Sequence, residues 1–257
     1  MALHQQFERQ GHNLIRSAGA VPLFILIFGY LFLGAVETYP DNFFFQKSIY
    51  EEIYEIFCLL FTVSGFIIVF YTNGYSENTS IYGKPQQDIH AGFHTRGAYS
   101  VLRHPVYHGT IIMWLGPALV TGNLFFIISF VLFCCIFFER IMLAEERYLK
   151  KTFGLKYSRW AQNVPIIIPK LLNFKKPDTA FSWKMAYEKS TGRLALVLTA
   201  FFTFDVLTQL MAVKPDYNIL YLSVLIIAIT GTFFIEILNL IQTAENKKKK
   251  SFKSFRA

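Results

Sequence analysis

The sequence predicts an all-α protein, a polytopic membrane bundle of about six transmembrane helices that includes a short helical hairpin. Three observations carry this. The 257 residues are 53% hydrophobic and 18% aromatic, with only 16% charged. The apolar residues are clustered in long runs rather than spread with a helical or strand period, which excludes an ordinary soluble core. The basic residues alternate between loops as they do in multi-pass membrane proteins.

The runs justify each element in turn. Residues 18–36 carry no charge, and 53–71 carry only Glu55. Each has the length that spans hydrocarbon as a helix. Two shorter arms, 106–121 and 123–138, are joined by Thr121-Gly122-Asn123, a turn by composition. Two further spans follow at 194–213, with Asp205 as its only charge, and at 219–241, with only Glu236. The first apolar run lacks a small-x-small cleavage site, so it is expected to remain as a span.

Charge sets the orientation. Alternate loops hold 23 of the 25 Lys and Arg, and 12 of these fall in residues 139–193. The positive-inside rule makes those loops and both termini cytoplasmic. The alternation works only if both hairpin arms cross. The formal net charge of +8 then reflects topology and attraction to anionic headgroups, including a basic cytoplasmic tail at 242–257, and calls for no nucleic-acid partner. Cys58, Cys134 and Cys135 all lie in apolar runs and read as small hydrophobes. The six His are dispersed, and no spacing matches a metal site. No P-loop or dinucleotide fingerprint is present. The chain reads as one membrane domain.

Chemistry concentrates in Arg103-His104-Pro105-Val106-Tyr107-His108-Gly109 and in Glu145-Glu146. Pro105 suits the first position of a helix and pushes His104 toward extended backbone. The third span should therefore begin at Pro105, with free N–H groups from Val106 to Gly109 at the cytoplasmic interface, where an anion can bind. Gly109 admits a ligand or a neighbouring helix at close range. Tyr99 and Tyr107 offer aromatic faces for adenine stacking or for a sulfonium. Arg103 suits a carboxylate or a lipid phosphate. Taken singly, these residues also fit a helix cap, inner-face positive charge and interfacial belt aromatics.

Residues Glu139 to Lys151 should continue the fourth span as a helix that ends at Gly154. On it, Glu145 shares a face with Ile141, Met142, Tyr148 and Leu149, an inward face. Glu146 has Lys150 four residues on, the order of an exposed ion pair. Glu145 is therefore the expected ligand contact, and Glu146 the solvated or structural one. Arg140 and Arg147 read as headgroup anchors, one of which has the charge to hold an anionic substrate. Pro165-Ile166-Ile167-Ile168-Pro169 reads as an extended apolar strip along the membrane surface or over a site.

The motif R-H-P-x-Y-x-G, then Glu-Glu, then Phe153-Gly154-x-x-Tyr157 and Val164-Pro165, resembles the isoprenylcysteine carboxyl methyltransferase family and its phospholipid-methyltransferase relatives. The match covers roughly 84–170. It implies an integral membrane enzyme using S-adenosyl-L-methionine (SAM). Carried over, the cofactor contacts are His104, Pro105, Val106, Tyr107, Tyr99, residues near Ala91 to His94, and Glu145, with Gly109 and Glu146 beside them. Arg140 stands near the position that contacts substrate, and Arg103 is a second substrate candidate. His104 and Glu145 are the candidate bases. His108, Trp160 and Asn163 depart from the family pattern and bear on the acceptor more than on the cofactor.

The expected function is transfer of a methyl group from SAM to a lipidic or amphipathic acceptor: a carboxylate, phosphate, amine or thiol. The alternatives are a sterol-reductase-like relative using NADPH, which usually has Asn where Pro105 stands, and a small transporter or scaffold with Asp205 and Glu236 on a polar path.

Overall fold

A computed structural model describes residues 51–75 and 93–211, together with scattered helical positions between 6 and 31 and between 219 and 233. Among these residues four long helices occur: α1, Glu51–Tyr75; α2, Pro105–Val120; α3, Leu124–Asn163; and α4, Trp183–Met211. Single 3-10 turns lie at Ala98–Ser100 and Leu171–Asn173. The described residues form no strand beyond an isolated bridge between Gly97 and Lys175. Two helices, Ile53–Tyr75 within α1 and Leu124–Asn163, are long and apolar enough to cross a membrane. The spans expected at 18–36 and 219–241, the side chains of Asp205 and Glu236, and the tail 242–257 lie largely or wholly outside the described residues.

The hairpin turn forms as its residue types require. Gly122 takes φ 62°, a left-handed conformation that suits glycine. Asn123 caps α3 by accepting from the Phe126 N–H at 3.0 Å. Small residues then let α1 and α2 pack closely. Gly65 and Gly109 face each other so tightly that a Cβ on either would overlap the other helix. Gly116 is equally tight against Thr62 and Cys58.

Pro117 interrupts α2 and lacks the N–H that would pair with the Met113 carbonyl. The Thr62 hydroxyl of α1 donates to that carbonyl at 3.0 Å, so a proline defect in one helix is repaired by its neighbour. Asn73 of α1 donates to the Ser190 hydroxyl of α4 at 2.9 Å, in a buried position. Met113, Trp114, Phe130, Cys134 and Phe201 fill the core between helices. Phe57, Leu60 and Ile67 of α1, and Phe125, Leu132 and Ile136 of α3, face outward. Such an apolar exterior is what hydrocarbon would cover. Cys58 and Cys134 are buried, whereas Cys135 is on this outward face, and all three are free thiols.

One helix bound is as expected and one is not. The helix that continues the fourth span ends in a kink at Gly154 (φ 54°, ψ −123°), and a second helical run carries α3 on to Asn163. The next helix starts at Trp183, ahead of the apolar run at 194–213, and its early turns pack on α1, with Trp183 beside Phe70 and Ser190 bonded to Asn73.

Candidate active site

The site is built where the start of α2 meets the middle of α3. His104 is the N-cap of α2, with Pro105 at the first helical position. No side chain caps this end, and the His108 N–H already donates to the His104 carbonyl at 3.2 Å. The open donors are therefore those of Val106 and Tyr107, fewer than the four expected. Of the two neighbours expected for Gly109, the structure shows the helix: it packs against Gly65, Ile68 and Val69 of α1.

Glu145 and Glu146 project from α3 onto His104. The ring Nδ1 lies 3.3 Å from Glu145 Oε2, and Nε2 lies 3.3 Å from Glu146 Oε1. Burial would lower the His104 pKa, but the two carboxylates outweigh it and raise it to about 9. At neutral pH the ring is thus an imidazolium clamped on both nitrogens. Glu145 is the more solvent-accessible carboxylate of the two, at 30% against 20% for Glu146.

Glu146 takes a different place from the expected surface pair with Lys150. Its carboxylate meets Arg103 Nη1 at 3.0 Å as well as His104. Burial would raise its pKa, but those two cationic donors hold it below the usual value. Arg103 also donates through Nε to the Val164 carbonyl at 2.6 Å and through Nη2 to the Ala161 carbonyl. Its donor nitrogens are spent inside the protein. Arg103 is thus a brace that ties the start of α2 to the end of α3.

Aromatic rings surround the cluster. Tyr107 stacks on His104, with ring centroids 5.8 Å apart at 24°, and its hydroxyl approaches Glu145. Tyr99 stacks on His94 in the same manner, at 5.8 Å and 23°. Burial and the nearby Glu145 charge push the Tyr99 hydroxyl pKa up. His94 and Tyr99 line a cavity of about 200 Å³ with Tyr71, Thr72 and Tyr75 of α1. Tyr157 is buried beside the acidic pair, and burial followed by the Glu146 charge raises its pKa.

One polar side chain at the site was not singled out in the sequence. Arg193 of α4 lies within electrostatic range of both Tyr99 and Tyr107. Its signal was its place, a lone cation at the foot of an apolar run, but it was one of 12 basic residues in that segment. Arg140 lies elsewhere, over the Phe7 ring at 3.4 Å. It sits where Gly11 packs against the Arg140 backbone and Ala144, and nothing in this geometry brings it to the His104 cluster.

A strap from Val164 to Lys176 holds the loop before α2. Arg103 N–H donates to the Pro165 carbonyl at 3.0 Å, Lys170 N–H to Val101 at 3.1 Å, and Gly97 N–H to Lys175 at 2.8 Å. The Ser100 hydroxyl accepts from Lys175 N–H at 2.9 Å. The apolar strip therefore runs along the site's outer edge with Ile167 and Ile168 exposed.

Comparison with known proteins points to methyltransferases. The phospholipid methyltransferase family profile matches residues 53–156, a segment containing nearly all of α1, α2, His104 and both glutamates. Protein-S-isoprenylcysteine O-methyltransferase B of Arabidopsis thaliana is 35% identical over 86 residues, covering 34% of this chain and 44% of that protein. Methanethiol S-methyltransferase of Pseudomonas deceptionensis is 29% identical over 89 residues, covering 34% and 32%. Methanethiol S-methyltransferase 1 of Bradyrhizobium diazoefficiens is 31% identical over 121 residues, covering 43% and 41%. The aligned region thus spans less than half the length of each of these relatives. No solved structure matches the chain. Over residues 53–156 the chain is thus similar to the phospholipid methyltransferase family, and over 86 residues to a protein-S-isoprenylcysteine O-methyltransferase.

Proposed function

We propose that the protein is a SAM-dependent methyltransferase of the membrane, acting at the cytoplasmic face on a lipidic or amphipathic acceptor. The observation that carries this is the convergence of Glu145, Tyr99 and Tyr107 on the uncapped start of α2, within the segment that matches the family. The residues fit the cofactor's parts. Stacked His94 and Tyr99 beside their cavity suit a purine and a sulfonium. The open N–H groups of Val106 and Tyr107 suit a carboxylate. Glu145 suits an ammonium or ribose hydroxyls.

SAM supplies an activated methyl group for in-line displacement by a nucleophile. The chain's own residues position and desolvate. The His104 imidazolium orients both glutamates and offsets their charge. Arg103 fixes the floor of the site through Glu146, Val164 and Ala161. Glu145 is the group able to accept a proton from a protonated acceptor, whereas a carboxylate, phosphate or thiolate acceptor needs no such help. Arg193 adds a positive charge on the α4 side, suited to an anionic acceptor or to the cofactor carboxylate.

Calorimetric titration of SAM and S-adenosylhomocysteine into the detergent-purified chain tests the reading, with Glu145→Ala and Tyr107→Ala alongside. Binding in the wild type that is lost in both variants supports it, and a labelled-methyl screen of lipid extracts then identifies the acceptor. Absence of binding to the folded wild type in detergent and in lipid overturns it.

A further inference from the structure

A second cleft lies beyond the strap, and the His104 cluster contributes nothing to it. This open cleft has a volume of about 760 Å³, and its lining among the described residues includes Arg96, Lys156, Arg159, Lys175 and Trp160 but no carboxylate and none of His104, Tyr107, Glu145 or Glu146. Arg96 is paired with Asp178 at 3.0 Å. Lys156, Arg159 and Lys175 have no ion-pair partner among the described residues. Like charges gathered around a concave wall raise its positive potential and favour an anion. Trp160 lines the same wall, and its indole N–H is buried with no acceptor among the described residues, a cost that a small shift toward a ligand oxygen would remove.

The rim of this cleft is apolar and projects outward. Ile167, Leu171, Leu172 and Phe174 are all exposed, Leu172 completely so. Water alone gives no reason to present such a run, and the backbone bonds of the strap hold it in place. A cationic cleft with a buried unsatisfied donor, bordered by a fixed apolar rim, matches one chemistry: a phosphate joined to acyl chains. We propose that the cleft formed by Lys156, Arg159, Trp160 and Lys175 seats the phosphate of an anionic phospholipid headgroup, with Leu171 and Leu172 set among the chains. This lipid anchors the strap and is not the methyl acceptor. The proposal rests on the membrane reading of the chain and is independent of methyl transfer.

The test titrates the detergent-purified full chain by calorimetry with short-chain phosphatidylglycerol, phosphatidylcholine of equal chain length, and inorganic phosphate. The expected result is one saturable phosphatidylglycerol site, roughly tenfold or more tighter than either comparison ligand. Arg159→Gln with Lys175→Gln should weaken it by roughly tenfold or more, with the lipid-free melting temperature unchanged, since both side chains are exposed. Phosphatidylcholine binding as tightly, no saturable site, or undiminished binding to the double variant overturns the proposal. Inorganic phosphate binding as tightly also overturns it and makes the cleft a free-phosphate site. Cofactor binding in the same preparation is scored separately, so failure of the methyltransferase reading leaves this result interpretable.

Discussion

His104 and Glu146 face each other across 3.3 Å, from Nε2 to Oε1, while the opposite nitrogen of the same ring faces Glu145. This sandwich makes the site pH-sensitive in a definite direction. His104 has an ordinary pKa of 6.5 and is raised to about 9 in the fold. Its stabilising contribution is fully present below about 6.5 and is lost as pH rises through about 9. Glu146 has its pKa depressed, so its contribution is present above the ordinary carboxylate value and is lost as pH falls below it. Thermal midpoints measured against pH should therefore fall on the alkaline side between about 6.5 and 9, and His104→Gln should flatten that limb. An unchanged alkaline limb in the variant would refute the assignment.

The two glutamates should separate in experiment. Glu145→Gln should abolish or greatly weaken cofactor binding with little loss of melting temperature, because its carboxylate is the accessible one. Glu146→Gln should do the opposite. It leaves Arg103 and His104 without their shared counter-charge and should cost about 2–4 kcal/mol of stability. Calorimetry and thermal melting on the same preparations read both effects.

Arg193→Gln should weaken cofactor or acceptor binding by roughly tenfold, with α4 intact, because one charge at a partly desolvated site contributes on that order. An effect on KM for the acceptor alone would assign the charge to substrate, and an effect on S-adenosylhomocysteine affinity would assign it to the cofactor.

Thr62→Val should cost about 1–3 kcal/mol, because it strands the Met113 carbonyl in an apolar environment. Adding Pro117→Ala restores an N–H four residues after that carbonyl. The double variant should therefore recover part of the loss in thermal melting. A purely additive double variant would show that Thr62 contributes by packing alone.

Gly154→Ala should destabilise by about 1–2 kcal/mol, since its φ of 54° and ψ of −123° suit glycine and strain any other residue. No neighbour occupies the space beside it, so the cost would come from the backbone alone. Melting temperature should drop while cofactor affinity changes little.

The sequence made much of this protein legible. Pro105 announced the start of α2 because proline has no N–H to lose there. Thr121-Gly122-Asn123 announced the turn because few residues accept its dihedrals. Ile141, Met142 and Leu149 showed which face of α3 turns inward, and all three are buried. The linked Arg-His-Pro and Glu-Glu motifs pointed to the family that the comparisons support. These features are local, or have fixed spacing along one helix, so a linear reading reaches them.

Other features depended on what each side chain meets across the fold. Lys150 looked like the partner of Glu146 because it lies one turn away, but Arg103 reaches it from a distant segment and is better shielded from water. Gly109 looked able to admit a ligand or a neighbouring helix, and only the fold shows that α1 fills its space. The two carboxylates that enclose His104 come from a distant helix, and Arg193 was one cation among many until α4 packed it near Tyr99 and Tyr107. The sequence by itself determined the helical, apolar character of the chain and the chemical types gathered for the site. Tertiary structure decided which partner each charge takes and hence its protonation, because the energies of buried charges depend on distance and solvent access, neither of which is written along the chain.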